Sequence, residues 1–213
     1  LTPDSLVLIR AGVTDYEVQG RIRGSLDVPL CEAGEAQAVA AGAQLAEAPP
    51  SFLYTAESLC AVETARIIGR QLGLKPRVIA GLHNLDQGLW QGLLVEDIRR
   101  RQPRLYRQWQ DNPWAVAAPE GELLEEACER VEQALEKLLR RHGEGRVAVV
   151  VPDPLDRIFG WILAGESMGD LWTQDWSQDP RGGLVRELPV AVQWAAPAGG
   201  RRTASGRRQT SPT

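Results

Sequence analysis

Histidine and cysteine are scarce in this chain: there are two histidines, His83 and His142, and three cysteines, Cys31, Cys60 and Cys128, among 213 residues. An odd number of widely spaced cysteines argues against a disulfide framework. With no Cys-x-x-Cys pair, a structural zinc site is not expected. Long apolar runs are missing too, and none approaches the ~18 residues that a membrane-spanning helix requires. Nor is there a surplus of positive charge. The net charge is −4 and the isoelectric point about 5.4, so the chain as a whole is not suited to a polyanion and nucleic acid is not an expected partner. The N-terminus opens almost at once on a strand-like run, so no signal peptide is expected and the cytoplasm is the expected compartment.

What remains is ordinary globular material, 43% apolar and 24% charged, enough for one domain with a sizeable core. Residues 5–10 (SLVLIR) form a short apolar run that stops at Gly12, as a buried strand before a tight turn does. Residues 32–47, rich in Ala, Glu and Gln, read as a helix stopped by Pro49-Pro50. A strand over 51–55, a helix over 57–72 ending at Gly73, and a short strand over 77–80 follow. Residues 93–109 carry helical spacing that Pro103 interrupts, which predicts a kink or two helices. Residues 121–141 form a strong amphipathic helix, with Leu124, Ala127, Val131, Leu135 and Leu138 on one face. Residues 146–151 (RVAVVV) are the clearest buried strand, and a helix over 155–163 comes next. An edge strand is expected over 190–194. Strands alternating with helices imply a three-layer α/β/α domain with a mainly parallel sheet. Residues 1–195 are assigned to that domain. Residues 196–213, with four arginines, no acid and no apolar periodicity, are expected to be a disordered basic tail.

In open α/β sheets ligands bind beyond the carboxyl ends of the strands, so the residues after Arg10, Thr55, Ala80 and Val151 are the ones to read. There the sequence resembles the histidine phosphatase superfamily, the phosphoglycerate mutase-like proteins. Arg10-Ala11-Gly12-Val13-Thr14, Gly20-Arg21, Gly24, Leu26-Asp27-Val28-Pro29-Leu30 and Gly34 follow the family's Arg-His-Gly-Glu-Thr stretch and its sequel. Tyr54-Thr55-Ala56 through Glu63-Thr64-Ala65, then Leu85 to Gly92, then Gly121-Glu122 with Arg130-Val131, and finally Val149 to Arg157 match later blocks in order. The resemblance implies a phosphoglycerate mutase-like fold. It also implies a site where a neutral histidine attacks phosphorus, two arginines and a second histidine hold the phosphoryl oxygens, and a carboxylic acid protonates the leaving alkoxide.

By the same resemblance, Ala11 stands at the nucleophile's place and Cys60 at the second arginine's. Asn84 falls where the acid sits, Glu17 replaces an Asn, and Asp153 lies nearest the second histidine. Arg10 alone is kept. The expected site is therefore a vestigial pocket of Arg10, Ala11, Glu17, Cys60, Asn84 and Asp153, neutral or acidic where the family's is cationic. No second arginine is expected near Cys60, and Glu17 or Asp153 is expected to pair with Arg10. No catalytic residue, metal or cofactor is expected. The function this implies is a degenerate phosphatase that binds or regulates through an unidentified small-molecule or protein ligand.

Alternatives remain open at this point. Cys60 beside Arg10 could be a substitute nucleophile, or Glu17 and Asp153 an acid–base or metal pair, which would make the chain a divergent phosphohydrolase of small phosphate esters. His83, beside Asn84, should face away from it, and His142 should gain as a cation from a helix C-terminus. Trp90 and Trp109 are expected in the core, Trp114 near the site's mouth, and Trp172 and Trp176 as candidate partner anchors. Gly20, Gly24, Gly34 and Gly88 are expected as turn positions.

Overall fold

A computed structural model describes residues 5–142, 145–166 and 184–190. Five strands form one sheet in the order β3-β2-β4-β1-β5. They are β1 (Ser5–Arg10), β2 (Phe52–Thr55), β3 (Arg77–Val78), β4 (Val147–Val151) and β5 (Val185–Pro189). The pairs β1–β4, β4–β2 and β2–β3 are parallel, whereas β5 runs antiparallel to β1. Every residue of β4 is buried, which requires cover on both faces and explains a strand that is apolar without alternation.

The cover comes from helices. Helix α2 (Glu32–Ala46) packs along α3 (Leu59–Leu72), and α6 (Leu124–Leu139) meets α7 (Leu155–Ala164). Their apolar faces join the strands in one continuous core. A second, smaller core lies in the segment between β3 and α6. There α4 (Val95–Arg101) and α5 (Pro103–Asp111) close over Trp90, Tyr106 and Trp109. Pro103 divides the two helices and starts the second, where its missing N–H costs nothing.

Several boundaries move relative to the sequence reading. Helix α6 begins at Leu124, because the Glu126 side chain closes on the Leu123 amide and fixes the start there. Strand β3 keeps only Arg77–Val78 of the expected 77–80. A strand lies at Val185–Pro189, ahead of the expected 190–194, of which only Val190 is among the described residues. Leu188 within it and Leu184 and Val190 at its two ends are buried while Arg186 and Glu187 lie between, and Pro189 ends the pairing without an N–H to give. Two elements are new: a one-turn helix α1 (Asp15–Val18) and a 3-10 turn at Gly88–Trp90. Gly34 is not a turn. It sits inside α2, where its missing side chain lets the helix backbone touch the loop after β1; a Cβ there would stand 2.1 Å from the Val13 carbonyl oxygen. Gly20, Gly24 and Gly88 do have positive φ.

Trp172, Trp176, Trp194 and residues 196–213 lie outside the described residues. Among the described residues no helix is long and apolar enough to cross a membrane.

Candidate functional site

Strands β1 and β4 end side by side, with Arg10 in register with Val151. The loop after β1 and the turn Pro152–Pro154 therefore face each other across the carboxyl edge of the sheet. Cys60, in the first turn of α3, and Asn84, in the segment after β3, complete the ring. The topology thus brings Ala11, Glu17, Cys60, Asn84 and Asp153 around one place at the end of β1. Ala11 is 6% exposed and contributes a methyl group.

Arg23 joins these residues, and sequence reading missed it. Its guanidinium lies between them: Nε is 3.1 Å from Glu17 Oε1, Nη1 donates to Cys60 Sγ, and Nη2 donates to the Asp153 carbonyl at 3.2 Å. The pair is buried, with the Arg23 and Glu17 side chains 5% and 11% exposed. Burial works to lower the Arg23 pKa, but the attraction of Cys60, and after it of Glu17 and Asp153, outweighs burial and the net direction is upward. Cys60 is itself pushed up, first by its burial, so it stays a thiol at neutral pH.

One expectation is narrowed here and one is overturned. Glu17 does not pair with Arg10; its carboxylate goes to Arg23 and to the Thr14 backbone and hydroxyl. A second arginine does stand at Cys60, delivered from position 23. Asp153 pairs with Arg157 at 3.0 Å, one helical turn further on. The ring is thus a lattice of paired carboxylates and guanidinium groups. Side chains two residues apart in an extended stretch share one face, so the spacing of the two arginines gives no sign that Arg21 reaches the Gly92 carbonyl while Arg23 is turned inward.

Asn84 closes the far wall. Its Nδ2 donates to the carbonyls of Gly24 and Asp153, both at 2.9 Å, while its buried Oδ1 accepts nothing among the described residues. Arg130 of α6 holds the segment that carries Asn84, donating to the carbonyls of Gly81, His83 and Asn84 while paired with Glu122. Nearer β1, three successive amides are taken by side chains from three helices. Gly12 N–H goes to Thr64 Oγ1, Val13 N–H to Gln37 Oε1 and Thr14 N–H to Glu17 Oε2.

The remaining candidates lie apart from this ring. His83 is exposed, on the opposite face from buried Asn84 as expected. His142 is not a helix-end cation: it is buried against Phe52 and shares a 2.8 Å hydrogen bond with Tyr54. Burial, then the charges of Arg77 and Arg141, lower its pKa. Trp90 and Trp109 stack edge-to-face in the smaller core, and Trp114 packs on Trp161 of α7. Among the described residues no group of three or more His, Cys, Asp or Glu could hold a metal ion. A groove of about 500 Å³, lined by Arg66, Arg70, Lys75 and Pro76, lies at the opposite end of α3 from Cys60.

A three-layer fold with its side-chain ring at the strand ends defines a phosphohydrolase-like class of protein. Residues 6–177 match the model of the histidine phosphatase superfamily (branch 1). The chain belongs to that superfamily. It is 28% identical over 172 residues to phosphoserine phosphatase 1 of Hydrogenobacter thermophilus, covering 79% of this chain and 80% of that one. It is 37% identical over 116 residues to glucosyl-3-phosphoglycerate phosphatase of Mycobacterium tuberculosis, a match spanning 54% of this chain and about half, 51%, of that relative. The solved structure of a mycobacterial glucosyl-3-phosphoglycerate phosphatase in complex with VO3 superposes with a TM-score of 0.72 at 28% identity, covering 79% of this chain and 85% of the other.

Proposed function

We propose that this protein is a catalytically degenerate member of its superfamily, one that works by binding or regulation and not by turning over phosphate esters. The observation that carries this reading is the commitment of the site's charges to one another: Arg23 to Glu17 and Asp153 to Arg157, around an alanine. Phosphoryl transfer by this class needs a nucleophile facing positively charged groups that are free to meet the phosphoryl oxygens. A methyl group has no lone pair, and loss of a catalytic nucleophile alone can cost about a millionfold in rate. The other family positions depart as well: Cys60, Asn84 and Asp153 stand where the resemblance expects an arginine, an acid and a histidine. The neutral, buried Cys60 thiol is a poor substitute nucleophile.

The test is hydrolysis of p-nitrophenyl phosphate and of sugar phosphates, with a search for a phosphoenzyme. Neither turnover nor phosphoenzyme is expected, and Ala11→His should not restore them. A metal-independent rate typical of an enzyme removes the reading. A divergent phosphohydrolase of small phosphate esters is the second reading, favoured by the phosphatase names of relatives that match most of the chain. It requires activity that Cys60→Ala or Asp153→Asn abolishes, or that a divalent metal evokes.

A further inference from the structure

We infer that the site at the end of β1 is a plugged oxyanion site: Arg23 has taken over the place of the missing second arginine, and the Glu17 carboxylate is a tethered anion occupying it. The inference rests on the degenerate reading and deepens it, because it says what fills the site and what chemistry the filling imitates.

Three observations converge. First, the guanidinium is replaced, not merely lost. Position 60 is a buried cysteine, and the nitrogen that touches its sulfur belongs to Arg23, 37 residues away in sequence. A small residue at 60 opens the volume into which a long side chain from the facing loop reaches. Second, the group that meets this guanidinium is itself an oxyanion. A carboxylate presents two negative oxygens to an arginine fork much as a phosphoryl group does. Glu17 sets Oε1 3.1 Å from Arg23 Nε, an ion-pair contact without hydrogen-bond geometry, and keeps Oε2 for the Thr14 amide and hydroxyl. That second oxygen closes the capping box of α1, so the carboxylate is held at the site by a one-turn helix built around it. Third, the wall beside the plug is short of a donor. Asn84 shares the Asp153 carbonyl with Arg23, yet its buried Oδ1 accepts nothing among the described residues. A singly protonated oxyanion, with negative oxygens for arginine and one O–H, would supply what Asn84 lacks.

A buried arginine with its carboxylate removed is an uncompensated charge, and it attracts an anion from solution. The ligand class is therefore a small tetrahedral oxyanion or the phosphate end of a larger molecule, admitted only when Glu17 gives way. Glu17→Gln tests this: the neutral amide keeps an oxygen that can close the capping box of α1 but loses its attraction to Arg23, so an anion can displace it from the guanidinium. Binding of orthovanadate is measured by isothermal titration calorimetry on the full chain, with p-nitrophenyl phosphate hydrolysis run beside it. Glu17→Gln should bind vanadate at least tenfold more tightly than the unaltered protein. Glu17→Asp, which keeps the charge, should show no gain. In Glu17→Gln/Arg23→Gln the gain should disappear. Equal vanadate affinity in the Gln variant and the unaltered protein overturns the plug, as does a gain that survives loss of Arg23. Turnover by the unaltered protein would overturn the degenerate reading instead, so the two failures are told apart.

Discussion

At the scale of single residues, the decisive side chains are those whose partners lie far away along the chain. Ala11, Cys60 and Asn84 are legible as departures from a family pattern, because each sits at a fixed offset inside a recognisable block. Arg23 is not legible in that way. Its neighbours Arg21 and Gly24 match the pattern, and nothing local says that its guanidinium crosses to α3 and to the turn after β4. The same limit applies to Glu17, whose partner is set by which arginine reaches it first. His142 shows a local rule losing to tertiary packing. A cation at a helix end gains from the dipole, but the residue packs on Phe52 and bonds to Tyr54. Its pKa is lowered from the usual 6.5. As the pH falls, the unfolded chain therefore takes up this proton before the folded one does. The stability His142 contributes is complete above the ordinary value and declines as the pH drops from there toward the depressed one. Denaturant melts at pH 7.5 and pH 5.5 should show that decline, and His142→Gln should reduce it. Equal pH dependence in the two proteins would refute the assignment.

At the scale of elements, most of the fold is written in apolar spacing. The run of valines in β4, the face of α6 and the break at Pro103 all carry strong signals, and each appears within a few residues of its expected place. The shortfalls have physical causes. Strand β5 carries Arg186 and Glu187 on a sheet edge, where a strand need bury only some of its side chains, so its pattern is faint. Helix α1 is one turn held by a single capping box, too short for any periodicity. Gly34 lies in an Ala-rich helix that gives no hint of its role, since the reason for a glycine is the backbone of another element. That reason makes a firm prediction. In Gly34→Ala the new methyl would meet the Val13 carbonyl, which is backbone and not a flexible side chain. Such overpacking typically costs about 1–3 kcal/mol. A thermal melt should show a clear loss; an unchanged midpoint would mean that the loop after β1 can move aside.

At the scale of the whole molecule, the superfamily's architecture persists around a site whose charges face inward on each other. The sheet and its helical layers bring six chain segments to the end of β1, and that convergence is independent of what the converging side chains are. The three amides after β1 show how tightly the convergence is tied. A surface loop usually trades its N–H protons with solvent quickly. Here the protons of Gly12, Val13 and Thr14 are each clamped by a different helix, α3, α2 and α1. In deuterated buffer these neighbours should not exchange at one common rate. Each should wait for its own clamp to release, with Thr14, held by a one-turn helix, going first and Gly12, anchored on buried Thr64, going last. A single shared rate would mean that the three clamps open together as one unit.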